Sequence, residues 1–118
     1  MATVKLQLGL TENGTVNTPA ILTVPQDSGS VTLLDGRYRY SSALVQNVGS
    51  EDMYIRVGGT ATTSVYHVRL SPMSQAEIND AAYVDVTACG DGAVTSTAVV
   101  FSVQVNDSAH TAGTAYGA

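Results

Sequence analysis

Apolar and polar residues alternate along most of this chain, which is the pattern of β-strands with one buried face. Near the N-terminus, Val4, Leu6, Leu8 and Leu10 alternate with polar or small residues. Similar short segments recur about every ten residues, separated by Gly, Pro, Asn and Asp. We predict further strands at residues 21–24, 31–34, 37–45, 53–57, 65–70, 74–78, 82–88 and 98–105. Eight or nine short strands predict an all-β fold, an antiparallel β-sandwich of jelly-roll type.

The boundaries between these segments are set by turn-forming residues. Asn13-Gly14 and Asp35-Gly36 are strong turn signals, and Gly58-Gly59 ends the strand at residues 53–57. Only residues 74–82 could hold a helical turn. Residues 1–105 are therefore predicted to form a single β-sandwich domain. Residues 106–118 lose the alternation, so we expect a tail that is flexible or ordered against a neighbouring subunit, with Tyr116 as its anchor.

The composition favours a protein that makes wide contacts with other proteins. The chain has 118 residues, enough for one domain, and 13% of them are charged, about half of the usual share of roughly 25%. Hydroxyl and small side chains replace the charges, and they lose less hydration on contact. A soluble monomer whose hydroxyls make no contacts is the alternative. With five basic residues and a net charge of −5, nucleic-acid binding is not expected.

No segment suggests secretion or membrane insertion. The first ten residues lack the apolar core of a signal peptide, and no run approaches the roughly 20 apolar residues of a membrane span. Cys89 is the one cysteine, so a disulfide within the chain is excluded. We expect synthesis in a cytoplasm, followed by assembly into something larger.

The sequence offers little for catalysis. His67 and His110 have no His, Cys or carboxylate at a metal-ligand spacing, and no nucleophile or phosphate-loop motif occurs. Cys89 has no basic neighbour in sequence, so we expect an unreactive, partly buried thiol. His67 is expected to be a structural histidine within a strand. We predict no enzyme activity, no cofactor, and no catalytic or metal-binding residue.

Carbohydrate binding is a second hypothesis, because many lectins are jelly rolls. In the strand predicted at residues 37–45, alternation places Tyr38 and Tyr40 on one face as a candidate sugar platform. Arg37 and Arg39 fall on the other face, where they either pair with carboxylates of a partner or remain solvated. The aromatic residues expected to help form the core are Tyr54, Tyr66 and Tyr83.

One stretch resembles a known group of proteins. "ALVQNVGSEDMYIRVGGTATTSVYHVRLSPMSQAEIN" has an apolar strand, an N-x-G-S turn, a Tyr-containing strand ending in Gly-Gly, a loop, and then Leu-x-Pro followed by Ile. This order is similar to that of small β-sheet virion proteins of tailed phages, of the capsid decoration (cement) or head-fibre type. The likeness runs from Ala43 to about Ala88. Met73-Ser74 stands where these proteins usually have a glycine after the proline.

The resemblance implies a structural virion protein that binds the outer surface of an assembled capsid, commonly as a homotrimer at symmetry axes. It implies the major capsid protein and further copies of the chain as partners, and the capsid exterior as the location. A receptor- or carbohydrate-binding module of a head or tail fibre is the alternative. The residues expected at interfaces are Val4, Leu6, Leu8, Arg37, Arg39 and Tyr116.

Overall fold

The computed structural model describes residues 14–27, 29–92 and 94–105, which form nine β-strands. Their bounds are β1 Gly14–Val16, β2 Ala20–Val24, β3 Val31–Leu34, β4 Arg39–Asn47, β5 Met53–Val57, β6 Val68–Leu70, β7 Gln75–Ala82, β8 Val86–Gly90 and β9 Ser96–Val105. No helix occurs within these ranges.

The strands form two antiparallel sheets that pack face to face. In the five-stranded sheet, β9 pairs with β4, β4 pairs with β7, and β1 and β2 share the other side of β9. The four-stranded sheet has the order β3-β8-β5-β6. From β2 to β5 the chain alternates between the sheets, and it alternates again from β6 to β9. This connectivity is that of a jelly roll, which confirms the predicted fold class.

β1 and β2 behave as one strand with an interruption. Val16 lies opposite Val103, and Ala20 lies opposite Val100, so both segments follow the same side of β9. Pro19 has no N–H to donate to β9, which favours a break at this point. The predicted Asn13-Gly14 turn is wrong at its second residue, because Gly14 already pairs in β1 with Val105.

The main core lies between the two sheets. Its largest fully buried apolar side chains are Val24, Leu34, Val45, Met53 and Val86. They come from both sheets, β2 and β4 on one side and β3, β5 and β8 on the other. Burial of these side chains is the largest favourable term for folding.

A polar cluster is buried beside this core and fixes the turn after β4. Asn47 is fully buried, and its Nδ2 donates to the carbonyl oxygens of Glu51 and Leu70, both at 2.8 Å. Ser96 Oγ lies 2.8 Å from Asn47 Oδ1, which also accepts from the N–H of Gly49. A Cβ on Gly49 would approach the Thr97 nitrogen to 2.6 Å. The N-x-G-S segment of the resemblance therefore has a structural role here.

Among the predicted strand boundaries, the largest errors concern β6, β7 and β8. β7 extends to Ala82, because it pairs with β4 over its length and so excludes the helical turn considered for residues 74–82. Tyr83 has a φ of 58° and lies outside any strand, so β8 begins only at Val86. Residues 65–67 belong to a loop, and β6 begins at Val68.

Candidate binding surface

Several predicted interface residues lie outside the described part of the chain. These are Val4, Leu6 and Leu8 in the N-terminal segment and Tyr116 in the C-terminal segment. Their role as contacts stays a prediction. The predicted residues that the structure does place are Arg37 and Arg39.

Arg37 and Arg39 do not share a strand face, which corrects the prediction. Arg37 lies in the turn between β3 and β4, where its guanidinium makes an ion pair of 2.8 Å with Asp35. The Arg37 hydrogen bonds hold the pKa of the Asp35 carboxyl below its usual value. Arg39 begins β4, and its Nε donates to Asp80 Oδ1 at 3.1 Å. The turn separates them because Asp35 accepts from the backbone N–H of Arg37 and holds it out of β4.

The predicted tyrosine platform does not form. Tyr40 is buried in the main core, where loss of hydration raises the pKa of its phenol. Tyr38 lies in the turn before β4 and is exposed, with the Arg37 guanidinium 5.4 Å from its ring centroid. Alternation failed here because the strand begins two residues later than predicted. A single exposed ring remains at this position.

The outer face of the four-stranded sheet is covered by the chain itself. Tyr54 on β5 and Cys89 on β8 are strand partners, and their neighbours in each strand point into the main core. Both side chains are nevertheless buried, together with Ala61. Ala61 belongs to the loop between β5 and β6, residues 58–67, which we call the covering loop.

Hydrogen bonds from β8 hold the first half of the covering loop on the sheet. Thr87 Oγ1 accepts from the N–H of Ala61 at 2.9 Å and donates to the carbonyl of Gly59 at 2.7 Å. Thr63 Oγ1 donates to Asp27 Oδ2 at 2.9 Å. One threonine hydroxyl thus satisfies two backbone groups that would otherwise be left without partners near an apolar cluster.

Aromatic and imidazole contacts hold the second half of the covering loop. The Tyr66 ring meets the Tyr54 ring edge to face, with centroids 4.8 Å apart. His67 is exposed and precedes β6, so its predicted position within a strand is wrong. Its N–H donates to the carbonyl of Ile55 at 2.7 Å, and its Nδ1 accepts from the N–H of Val57 at 3.1 Å. These contacts give His67 a structural role at the end of β5.

Cys89 lies under the covering loop and is fully buried rather than partly buried. Burial raises the pKa of its thiol to about 11, and the nearby Asp27 carboxylate acts in the same direction. The Sγ lies 3.9 Å from Asp27 Oδ1. A protonated, covered thiol is a poor nucleophile, which agrees with the expectation of an unreactive cysteine.

The outer face of the five-stranded sheet carries apolar side chains that no described segment covers. On β9, Ala98 and Val100 point into the core, so the alternate residues from Val99 to Val105 point outward. Three of their strand partners, Val16, Ile21 and Leu44, are apolar, whereas Ser42 and Gln46 on β4 are polar. We call this set the apolar stripe: Val16, Ile21, Leu44, Val99, Phe101, Val103 and Val105.

Exposure of the apolar stripe differs from one side to the other. Ile21 is 75% exposed and Val16 is 41% exposed, both on the β1–β2 side. Leu44, on the central strand β4, is buried. Glu77 on β7 lies opposite Leu44 and marks the polar limit of the stripe. The exposed members of the stripe thus lie on β1 and β2, and the outward side chains of β9 beside them are partly buried.

The sequence contains a signal for this surface. In β9, residues 98–101 are a continuous apolar run, so both faces are apolar there, whereas Ser102 and Gln104 alternate with Val103 and Val105. Strict alternation predicts a strand with one solvent-exposed face, whereas a continuous apolar run predicts a strand that is buried on both faces.

The described residues contain no cluster suited to a metal ion, since His, Cys, Asp and Glu side chains nowhere gather there in groups of three. Every buried side-chain nitrogen and oxygen within those residues has a hydrogen-bond partner. In the same part of the chain, no helix is long and apolar enough to cross a membrane.

Comparisons with known proteins add little to this description. No protein-family model matches the chain. No curated protein matches it either. Among solved structures, one similar chain comes from Bacillus endospore appendages, described as a novel family of disulfide-linked pili. It is 12% identical, with a TM-score of 0.46, and the match covers 88% of this chain and 98% of that chain. A likeness this weak does not indicate what this chain does.

Proposed function

We propose that this chain is a structural virion protein, a decoration protein that binds the outer surface of a phage capsid as a homotrimer and stabilises it. The observation that carries the proposal is a jelly roll with an apolar stripe on one outer face that no described segment covers. Such a surface favours function within an assembly. The low charged fraction of the chain supports the same role, because copies can pack closely with little repulsion.

This chain could stabilise a shell by binding alone, without catalysing a reaction. A protein that binds assembled shell but not dispersed capsid protein shifts the equilibrium toward the shell, by an amount set by its concentration and affinity. Many copies, each weakly bound, together resist expansion or rupture. The alternative of a sugar-binding fibre module rested on the tyrosine pair, and Tyr40 is in the core.

Within this proposal, Arg37 and Arg39 remain candidate contacts with the shell. The Arg37 side chain is 76% exposed even while it is paired with Asp35. A shell carboxylate can replace Asp35 at little cost, because an ion pair in full contact with water adds little to the stability of a protein. Replacement of Arg37 by Gln should then weaken shell binding and reduce its dependence on salt.

The test is co-sedimentation with empty, expanded capsids of the phage that encodes the chain. We expect saturable binding at micromolar concentrations, with a fixed number of copies per shell and none on dispersed capsid protein. A β-sandwich protein of similar acidity serves as the control. Absence of binding at tens of micromolar would overturn the proposal. Binding to glycans that is lost in Tyr38→Ala would favour the fibre alternative instead.

A further inference from the structure

The surroundings of the apolar stripe indicate the chemistry of a molecule that could cover it. On the four-stranded sheet, the outward side chains of Tyr54 and Cys89 are buried together with Ala61 of the covering loop. On the five-stranded sheet, Ile21 and Val16 remain exposed. The occupant must itself be apolar, because an unpaired polar or charged group buried against the stripe would lose its hydration without a partner.

We propose that the apolar stripe is a contact between copies of this chain. A second copy brings an identical stripe, so every side chain in the contact meets an apolar one. Two stripes around a twofold axis, or three around a threefold axis, bury the same side chains. This inference rests on the proposed function, and it names the surface through which neighbouring copies meet on the shell.

The distribution of charge favours a second copy. The chain has a net charge of −5, so two copies repel each other over most of their surfaces. Carboxylates such as Asp35, Asp52 and Asp91 lie in turns and loops, whereas the stripe itself has no charged member. Glu77 borders it on one side. The stripe is thus a surface where two acidic copies can approach without bringing like charges together.

The size of the stripe sets the expected affinity. From Val99 to Val105 it spans six residue steps, roughly 20 Å, and β9 with the β1–β2 side gives a width of two strands, roughly 10 Å. This area of about 200 Å² is well below the roughly 800 Å² that each partner contributes to a stable complex. We therefore expect weak association, at roughly tens to hundreds of micromolar, which becomes significant where copies are concentrated on a shell.

Sedimentation velocity of the full chain from about 5 μM to 1 mM tests the inference. The key variant combines Val16→Thr, Ile21→Thr and Val103→Thr, which keep β-branched side chains in their strands while adding hydroxyls to the stripe. The matched control combines Val48→Thr, Val65→Thr and Val94→Thr, three similarly exposed valines outside the stripe. We expect concentration-dependent association of the wild-type chain, weakened about tenfold or more in the stripe variant and less than twofold in the control.

Other outcomes overturn the inference. A wild-type chain that stays monomeric throughout, or one whose association is equal in the two triple variants, excludes the stripe as a contact between copies. A monomer that associates only after removal of residues 2–13 would identify that segment as the occupant. Shell binding that is lost in the stripe variant, without any self-association, would identify the shell.

The two proposals fail separately. Association through the stripe without co-sedimentation on capsids would leave this inference standing and remove the decoration role. Co-sedimentation of a chain that never self-associates would remove this inference and the homotrimer, and it would leave the decoration role standing.

Discussion

The two outer faces of this jelly roll both carry apolar side chains, but their surroundings differ. Over the four-stranded sheet, the covering loop buries Tyr54 and Cys89 and is held by hydrogen bonds from Thr87. Over the five-stranded sheet, no described segment covers the apolar stripe, and Ile21 is 75% exposed. Buried side chains such as Tyr54 stabilise the single chain, whereas exposed side chains such as Ile21 are available to a partner.

The largest expected effect comes from deleting one aromatic ring on each face. Tyr54→Ala should lower the free energy of unfolding by about 3 kcal/mol, because it leaves a cavity under the covering loop and removes the contact with Tyr66. Phe101→Ala should cost about 1 kcal/mol in the dilute chain, since its ring is only partly buried. Urea unfolding of both variants at low protein concentration measures the difference, and equal losses would contradict the comparison.

The burial of Cys89 should make stability depend on alkaline pH. An unfolded cysteine has a pKa of about 8.5, whereas the thiol in the folded chain titrates near 11. Between these values the unfolded chain loses a proton that the folded chain keeps, so stability falls as the pH rises. We expect the wild type to lose up to about 2 kcal/mol relative to Cys89→Ala between pH 8 and pH 10.5. Unfolding both proteins in urea at these two pH values gives the measurement, and parallel curves would show that the thiol is not covered.

Thr87→Val tests the hydrogen bonds that hold the covering loop. Valine keeps the shape of the side chain but leaves the Ala61 N–H and the Gly59 carbonyl without their partner. We expect a loss of about 1 to 2 kcal/mol in unfolding free energy and faster amide exchange at Ala61. Thr32→Val, at the exposed strand partner of Thr87, is the matched control and should change little.

The smallest change in unfolding free energy is expected on the outer face of the five-stranded sheet. Ile21→Thr should change the unfolding free energy of the dilute chain by less than about 0.5 kcal/mol, because the side chain is already in water. A larger loss in urea unfolding at a concentration where the chain is monomeric would mean that something covers Ile21.

Local patterns were sufficient for several parts of the fold. β3 and β5 were predicted to the residue, because each is a short apolar segment ended by turn residues. The sandwich class followed from the number and spacing of such segments. The segment Arg37–Val45 was placed two residues early, since a turn closed by Asp35 and Arg37 looks extended in sequence. Because of that error, Tyr38 and Tyr40 were predicted to share a strand face, which they do not share in the structure.

The candidate surface was harder to predict than the fold. Val65 and Tyr66 continue the alternation of β6, yet they belong to the covering loop, because Tyr66 packs on Tyr54 from another strand. Similarly, Val99 and Phe101 in β9 indicate two apolar faces without indicating which neighbours lie over them. Contacts between residues far apart in the chain decide such questions.

The sequence by itself determined that this chain is a β-sandwich with few charges, because strand periodicity and composition are local properties. The tertiary structure decided which outward apolar side chains are buried and which remain exposed. The physical reason is that burial depends on segments brought together across the fold, as the covering loop is brought onto β5 and β8. A period of two shows that a strand has two faces, and only packing shows what lies against each of them.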